Sequence, residues 1–148
     1  MKISTKGRYG LRILIDLAHQ DNSKPRLIRD IAQTQQISEK YISRLVIALR
    51  QAGLIRSVRG VNGGFHLAKN PKEITLLEVI EVMEGPVSIV ECVKYEPVCA
   101  RRNLCGVRTI WQQLNGNIRS MMKEITLEDI LEACRQQNGE ENFFDYCI

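Results

Sequence analysis

The segment from Ile37 to Leu67 most constrains the fold, because it combines an amphipathic helix with a tight, glycine-rich hairpin. Ser38 is a favourable N-cap, and Gly53 suits the left-handed conformation that ends a helix. The apolar residues between them recur at spacings that predict one buried stripe: Tyr41, Ile42, Leu45, Val46, Ala48 and Leu49. Two short strands are then predicted on either side of the turn Arg59–Gly64.

A shorter helix is predicted just before this segment. Leu27–Gln35 has inward apolar positions, and Gln36-Ile37 forms the tight turn to the next helix. Two helices joined in this way and followed by a hairpin are typical of a winged helix-turn-helix, which binds DNA.

The charge of the chain is divided unevenly. The net charge of the 148 residues is +4, but residues 1–72 carry fourteen Lys and Arg against four Asp and Glu, and the remainder carries seven against thirteen. A basic half that contains a helix-turn-helix pattern predicts contact with nucleic acid. The alternative is chance asymmetry on a solvated surface.

The N-terminus is basic and then apolar, as in a signal peptide. Asp16 interrupts the apolar run, however, and no small-residue cleavage site follows. No apolar run approaches the roughly 20 residues that span a bilayer. We therefore expect a cytoplasmic protein that has no membrane contact.

Beyond residue 72, the sequence predicts helices at Leu76–Glu84, Val107–Ile125 and Leu127–Gln136. Glu91–Cys105 is expected to be an irregular loop. The long helix repeats apolar residues at three- and four-residue intervals, which favours packing against a second copy. The predicted fold is mostly α with a small β-hairpin wing: a winged helix-turn-helix domain (1–72), a cysteine loop with dimerisation helices (73–137) and a flexible tail (138–148).

Candidate DNA contacts follow from the chemistry of base edges and phosphates. A recognition helix offers polar side chains from its first turns, and the wing offers arginines beside glycines that let the backbone approach DNA closely. Basic residues at the start of the first helix, with the free amides there, are predicted to bind phosphate; a solvated basic face is the alternative. These candidates are Ser38, Glu39, Lys40, Ser43 and Arg44 in the helix, Arg56, Arg59 and Gly63 in the wing, and Lys6 and Arg8 with Lys2 and Arg12 in the first helix.

Three cysteines form a candidate metal site. Cys92, Cys99 and Cys105 have the spacing C-x6-C-x5-C, and thiolates are soft ligands suited to iron–sulfur clusters or zinc. Zinc is less favoured because no C-x2-C pair is present, and small buried residues are a further alternative. A disulfide framework is not expected in a cytosolic chain.

Several motifs together resemble one regulator family. The chain has K-I-S-T-K-G-R-Y-G at its start, S-V-R-G-x-x-G-G-F in the wing and the cysteine trio before the long helix. Up to about Cys134 it is similar to the IscR-type bacterial transcription regulators, which include NsrR and CymR. The resemblance implies a homodimer, crossed by the long helix, that binds a palindromic DNA operator. It also implies that Arg59 enters the minor groove and, in cluster-bearing members, that an iron–sulfur centre sets DNA affinity.

The chain departs from the cluster-bearing relatives at three positions. Ser43 replaces a glutamate that reads bases in some members, and Arg108 replaces a ligating histidine. Arg8 stands where NsrR-type members have an acidic ligand. The fourth ligand therefore stays open among Cys134, Glu91, Glu96, a residue of the partner copy and an exogenous group.

The sequence thus predicts a dimeric DNA-binding transcription regulator with an iron–sulfur cluster, [2Fe–2S] favoured over [4Fe–4S], that senses iron–sulfur, redox or nitric oxide status. The alternatives are a cluster-free regulator controlled by a partner protein or metabolite, and a small iron–sulfur redox protein. An enzyme is not expected, because the chain has no catalytic triad pattern or phosphate loop. His19 and His66 are interpreted as structural.

Overall fold

The architecture is a helical bundle that carries one hairpin. The computed structural model describes residues 2–19, 24–60, 63–94, 100 and 102–138. The elements within these ranges are α1 (Thr5–His19), α2 (Ile28–Gln35), α3 (Glu39–Gln51), β1 (Ile55–Val58), β2 (Gly64–Leu67), α4 (Leu76–Glu84), α5 (Glu91–Lys94), α6 (Gly106–Glu124) and α7 (Leu127–Asn138). The predicted winged helix-turn-helix with a long helix beyond it is therefore confirmed.

Local chemistry fixes the helix-turn-helix. Gln36 adopts the left-handed conformation (φ 53°), which ends α2 and turns the chain into α3. The Ser38 hydroxyl oxygen accepts a hydrogen bond from the backbone N–H of Tyr41 at 3.3 Å, so that Ser38 caps α3 as predicted. Gly53 follows the end of α3 with a φ of +71°, which a glycine adopts without strain.

The wing is an antiparallel pair in which Ile55 faces Leu67 and Val58 faces Gly64. Arg26 adds a one-residue third strand, because its backbone N–H and C=O exchange hydrogen bonds with Phe65, both at 2.9 Å. A Cβ at Gly64 would lie 2.6 Å from the Arg26 carbonyl oxygen. Only glycine therefore allows the wing to pair this closely with the segment before α2.

The main core surrounds α1, whose apolar side packs on α2, α3, α4 and α7. It contains residues from both predicted domains, including Met83 of α4 and Leu127 and Leu131 of α7. The predicted boundary after residue 72 falls within the 3-10 turn Pro71–Glu73, and the core runs across it. A smaller cluster joins α4 to α6 and contains Leu77, Ile80, Val87 and Met122.

The prediction that Glu91–Cys105 forms an irregular loop is wrong in part. Residues 91–94 form a one-turn helix, α5, and Arg102–Leu104 forms a 3-10 turn. Neither turn is long enough to show an apolar period in the sequence, which is why the pattern favoured a loop. The flexible tail is predicted to be residues 138–148, but Asn138 is the last residue of α7, and residues 139–148 lie outside the described residues.

No helix in the described ranges combines the length and apolarity that a membrane crossing requires.

Candidate nucleic-acid interface and cysteine segment

The side of α3 opposite the core is polar and accessible. Ser38, Glu39, Lys40 and Arg44 are exposed, while Ile42 on the core side is fully buried. The Ser43 side chain is half-buried, and its hydroxyl donates to the Glu39 carbonyl at 2.7 Å. The hydroxyl proton of Ser43 is thus used in a hydrogen bond within the helix, while the hydroxyl oxygen can still accept one. The predicted helix positions therefore share one face of α3.

On the wing, Arg56 and Arg59 are exposed, but Gly63 is buried. The Gly63 N–H donates to the Gly60 carbonyl at 2.9 Å, and a Cβ at Gly63 would lie 2.5 Å from the Val58 carbonyl oxygen. Gly63 thus closes the turn that presents Arg59. The burial of Gly63 does not favour it as a backbone contact to DNA, and that contact stays a prediction.

In α1, Lys6 and Arg8 are exposed as predicted, whereas Arg12 has a different role. The Arg12 guanidinium donates to both the side-chain oxygen and the carbonyl oxygen of Gln35 and lies 5.4 Å from the centre of the Tyr9 ring. These contacts hold the C-terminal end of α2, where free carbonyls attract a cation. Arg12 is thus held against α2 and Tyr9, which does not favour the predicted phosphate contact.

A carboxylate occupies the start of α1. Glu84 Oε1 accepts from the backbone N–H groups of Ser4 at 2.7 Å and Gly7 at 3.1 Å. A Cβ at Gly7 would lie 2.5 Å from the same oxygen, so a side chain at this position would displace the Glu84 carboxylate. The prediction that these amides bind DNA phosphate is wrong for Ser4 and Gly7, because Glu84 uses them. The sequence shows the glycine at position 7, but it does not show that Glu84 is its partner.

A buried polar network joins α1, α2 and the wing. Asp16, 0% exposed, accepts from Arg26 Nε at 2.8 Å and from Gln35 Nε2 at 3.1 Å. Arg26 Nη2 donates to Thr34 Oγ1 at 2.7 Å. Because the Arg26 backbone also pairs with the wing, this network fixes the wing relative to the two helices. In the sequence, Asp16 is visible only as an interruption of an apolar run.

The cysteines differ in their surroundings. Cys92 in α5 is half-buried, Cys105 at the N-cap of α6 is exposed, and both are free thiols. Cys99 lies outside the described residues. Cys134 is 4% exposed and belongs to the main core, which does not favour it as a metal ligand. Among the described side chains, no three potential ligands come together as a metal site.

The segment before α5 is tied to the long helix. Asn115, buried in α6, accepts from the Ile89 N–H at 3.1 Å. Glu81 accepts from the Val87 N–H at 3.1 Å and pairs with Arg119 of α6. The chain leading to Cys92 is therefore held against α6.

A stripe of α6 and the turn before it exposes large apolar side chains, at three- and four-residue intervals along the helix. Leu104 is 92% exposed and Ile110 is 61% exposed. A contiguous apolar stripe of this kind is unusual on a monomer surface and is typical of a protein interface. Its other members are Val107, Trp111, Leu114 and Met121.

Comparison with known proteins assigns this chain to one family. The model of the Rrf2 family, described as "Iron-dependent Transcriptional regulator", matches residues 3–133. The chain belongs to the Rrf2 family. It is 42% identical to the HTH-type transcriptional regulator CymR of Bacillus subtilis (strain 168), over 100% of both chains.

Solved structures agree with this assignment to the Rrf2 family. The structure of CymR, named as the global cysteine regulator of B. subtilis, has a TM-score of 0.74 at 39% identity and covers 90% of this chain and 98% of its own. The T. potens IscR structure has a TM-score of 0.74 at 31% identity, with 99% and 97% covered. The resemblance to IscR-type regulators is thus confirmed.

Family membership establishes the coarse function. This Rrf2-family protein is a DNA-binding transcription regulator. Its relatives carry the names of transcriptional regulators, a non-enzymatic class, which agrees with the sequence prediction that it is not an enzyme.

Proposed function

We propose that two copies of this chain bind a palindromic operator in double-stranded DNA through α3 and the wing. The observation that carries this proposal is the polar side of α3, which is exposed next to a wing whose arginines are also exposed, within a half of charge +10. An α-helix fits the major groove, and a cation is favoured in a narrow minor groove.

The residues divide by the chemistry that each can supply. Glu39 can accept from a cytosine amino group, and Lys40 and Arg44 can donate to guanine or phosphate. Ser38 and Ser43 offer hydroxyl oxygens near the start of the helix. Arg59 is assigned to the minor groove, and Lys6, Arg8 and Arg56 are assigned to phosphates.

The homodimer is supported by the exposed apolar stripe of α6. Packing this stripe on a second copy would remove it from water, and the helical spacing suits a symmetric helix pair. A palindromic operator requires the two copies of α3 to lie on one side of such a dimer, about one helical turn of DNA or a multiple of it apart.

Selection from a random duplex library followed by footprinting tests this function. We expect an enriched sequence with dyad symmetry, protected on both half-sites by two chains per duplex. Failure to enrich any duplex, or an asymmetric footprint made by one chain, would contradict the proposal.

We further propose that an iron–sulfur cluster, [2Fe–2S] rather than [4Fe–4S], is held by Cys92, Cys99 and Cys105 and sets operator affinity. The donor chemistry fits, since Cys92 and Cys105 are free thiols outside both core clusters, on elements that pack together. The fourth ligand would come from Glu91, Glu96, the partner copy or an exogenous group. When bound, the cluster supplies iron chemistry that responds to iron supply, redox state or nitric oxide.

The protein's own residues offer a route from this segment to the DNA-binding half. Asn115 links the chain before Cys92 to α6, and Glu84 links the end of α4 to the first turn of α1. A change in the order of the cysteine segment would thus reach both the dimer helix and the helix that carries Lys6 and Arg8. Linkage requires that operator DNA bias the same equilibrium in return.

A cluster-free regulator is the second candidate. It is favoured by the 42% identity, over both full chains, to CymR, whose structure is named as that of a global cysteine regulator. In this case a partner protein or a metabolite would control operator affinity.

Anaerobic purification distinguishes the two candidates. For a [2Fe–2S] centre we expect a coloured protein with about two iron and two sulfide per chain, which Cys92→Ala loses and the control Ser120→Ala, at an exposed position of α6, retains. Operator affinity should change when the metal is removed. A colourless protein without iron after reconstitution would overturn the cluster proposal and favour the cluster-free regulator.

A further inference from the structure

One apolar side chain lies in the middle of the polar face of α3. Within this helix, all of which the structure describes, Ile47 is the large aliphatic residue left out of the core, at 50% exposure. Ile42 and Leu49, by contrast, are 0% exposed. The polar face around Ile47 is formed by Lys40, Ser43, Arg44, Arg50 and Gln51.

Helical geometry puts Ile47 among the residues proposed to face DNA. At about 100° per residue, Ile47 lies about 40° around the helix from Ser43 and about 20° from Lys40. It is about 160° from Leu49, at the centre of the buried stripe. An exposed isoleucine could be incidental at the edge of such a face, but Ile47 is near its centre.

The apolar group that a major groove presents is the thymine C5-methyl. We propose that Ile47 contacts this methyl group and adds a thymine preference to each half-site; this rests on the proposed DNA-binding function. Ile47 lies about 6 Å along the helix from Ser43.

Ile47 supplies the apolar group that the other side chains of the polar face do not offer to a methyl. Lysine, arginine, serine and glutamate read hydrogen-bonding groups, and none of them gains from a methyl. Isoleucine is stiff at its branched carbon, so it presents a methyl surface at little further loss of side-chain freedom. Burial of one methyl-sized group corresponds to about fourfold in affinity.

Replacing thymidine by deoxyuridine removes only the methyl group, which makes the test specific. Each thymine of a selected operator is replaced in turn, in both half-sites, and the dissociation constant is measured by fluorescence anisotropy at fixed salt. For the wild-type protein we expect one position at which the replacement weakens binding about fourfold per half-site. Ile47→Ala should bind the two duplexes equally.

Two matched variants serve as controls for the effect of Ile47→Ala. Ile47→Val keeps the branched surface and should keep most of the methyl preference, whereas Gln51→Ala changes a neighbouring exposed residue and should keep all of it. If no position shows a methyl effect that depends on Ile47, the proposal is overturned even though operator binding persists. If the wild-type protein shows no sequence-selective DNA binding, the proposed function on which this inference rests is overturned instead.

Discussion

Asp16 and Arg26 form an ion pair that fixes the wing to the helical core. Arg26 Nε lies 2.8 Å from Asp16 Oδ1, and the Asp16 side chain is 0% exposed, while that of Arg26 is 21% exposed. The same arginine pairs through its backbone with Phe65 of β2. The position of the wing therefore depends on a carboxylate inside α1.

Replacing Asp16 by Asn should destabilise the protein. The change keeps the shape of the side chain but leaves Arg26 without its anionic partner, and a loss of about 3 kcal/mol is expected, at the low end for a buried ion pair because Arg26 is partly exposed. Urea denaturation followed by circular dichroism measures it. The control Arg29→Gln, in an exposed pair with Asp30, should cost less than about 1 kcal/mol. Equal midpoints for the two variants would contradict this account.

These contacts show where sequence reasoning succeeds and where it stops. The helices α2, α3, α4 and α6 were predictable because each repeats apolar residues at the helical period. Asp16 was not, because its partners Arg26 and Gln35 lie ten and nineteen residues away and only the fold brings them together. Arg12 is a residue type that often contacts phosphate, and only tertiary packing brings it against Gln35. Exposed candidates such as Lys40 and Arg59 were predictable because they depend on local pattern alone.

Replacing Glu84 by Ala should loosen the start of α1. The backbone amides of Ser4 and Gly7 would lose their common acceptor, which corresponds to removal of a helix cap at about 1 kcal/mol. Hydrogen exchange should become faster at these two amides. Glu124→Ala, which removes an exposed carboxylate at the end of α6, is the control. Unchanged exchange in Glu84→Ala would show that the carboxylate does not hold this turn.

Replacing Ile110 by Lys should separate the proposed dimer. Ile110 is 61% exposed on the apolar stripe of α6, so the charge is tolerated by the single chain but is costly in a dry interface. Analytical ultracentrifugation should show a shift from dimer to monomer with unchanged helical content. Gln112→Lys, about 160° around the helix from Ile110, should remain dimeric. A wild-type protein that sediments as a monomer, or an Ile110→Lys dimer as stable as wild type, would contradict the interface.

Asp129 should make a pH-dependent contribution to stability. Hydrogen bonds from the side chain and then from the backbone N–H of Thr126 lower the pKa of the Asp129 carboxyl below its ordinary value of 3.8. The folded protein therefore binds this proton more weakly than the unfolded chain does. The stabilisation is complete above pH 3.8 and fades as the pH falls through the lowered pKa.

The measurement for Asp129 is a comparison of Asp129→Asn with wild type across pH. The difference between their unfolding midpoints should be largest near pH 7 and should narrow below pH 3.8. The control Glu132→Gln, in the middle of α7, should show a smaller difference. A difference for Asp129→Asn that stays constant into acid would contradict the role of the charge.

The central claim is that α3 and the wing bind DNA, and titration of a selected operator with Arg59→Ala tests it most directly. Arg135→Ala removes the same charge from α7, where Arg135 pairs with Glu128, and is the matched control. At fixed salt, we predict that Arg59→Ala weakens binding by about tenfold or more, as for the loss of one specific contact, with its unfolding midpoint unchanged. Arg135→Ala should stay within about twofold of wild type. Equal affinities for Arg59→Ala and wild type, or equal losses in both variants, would contradict the account.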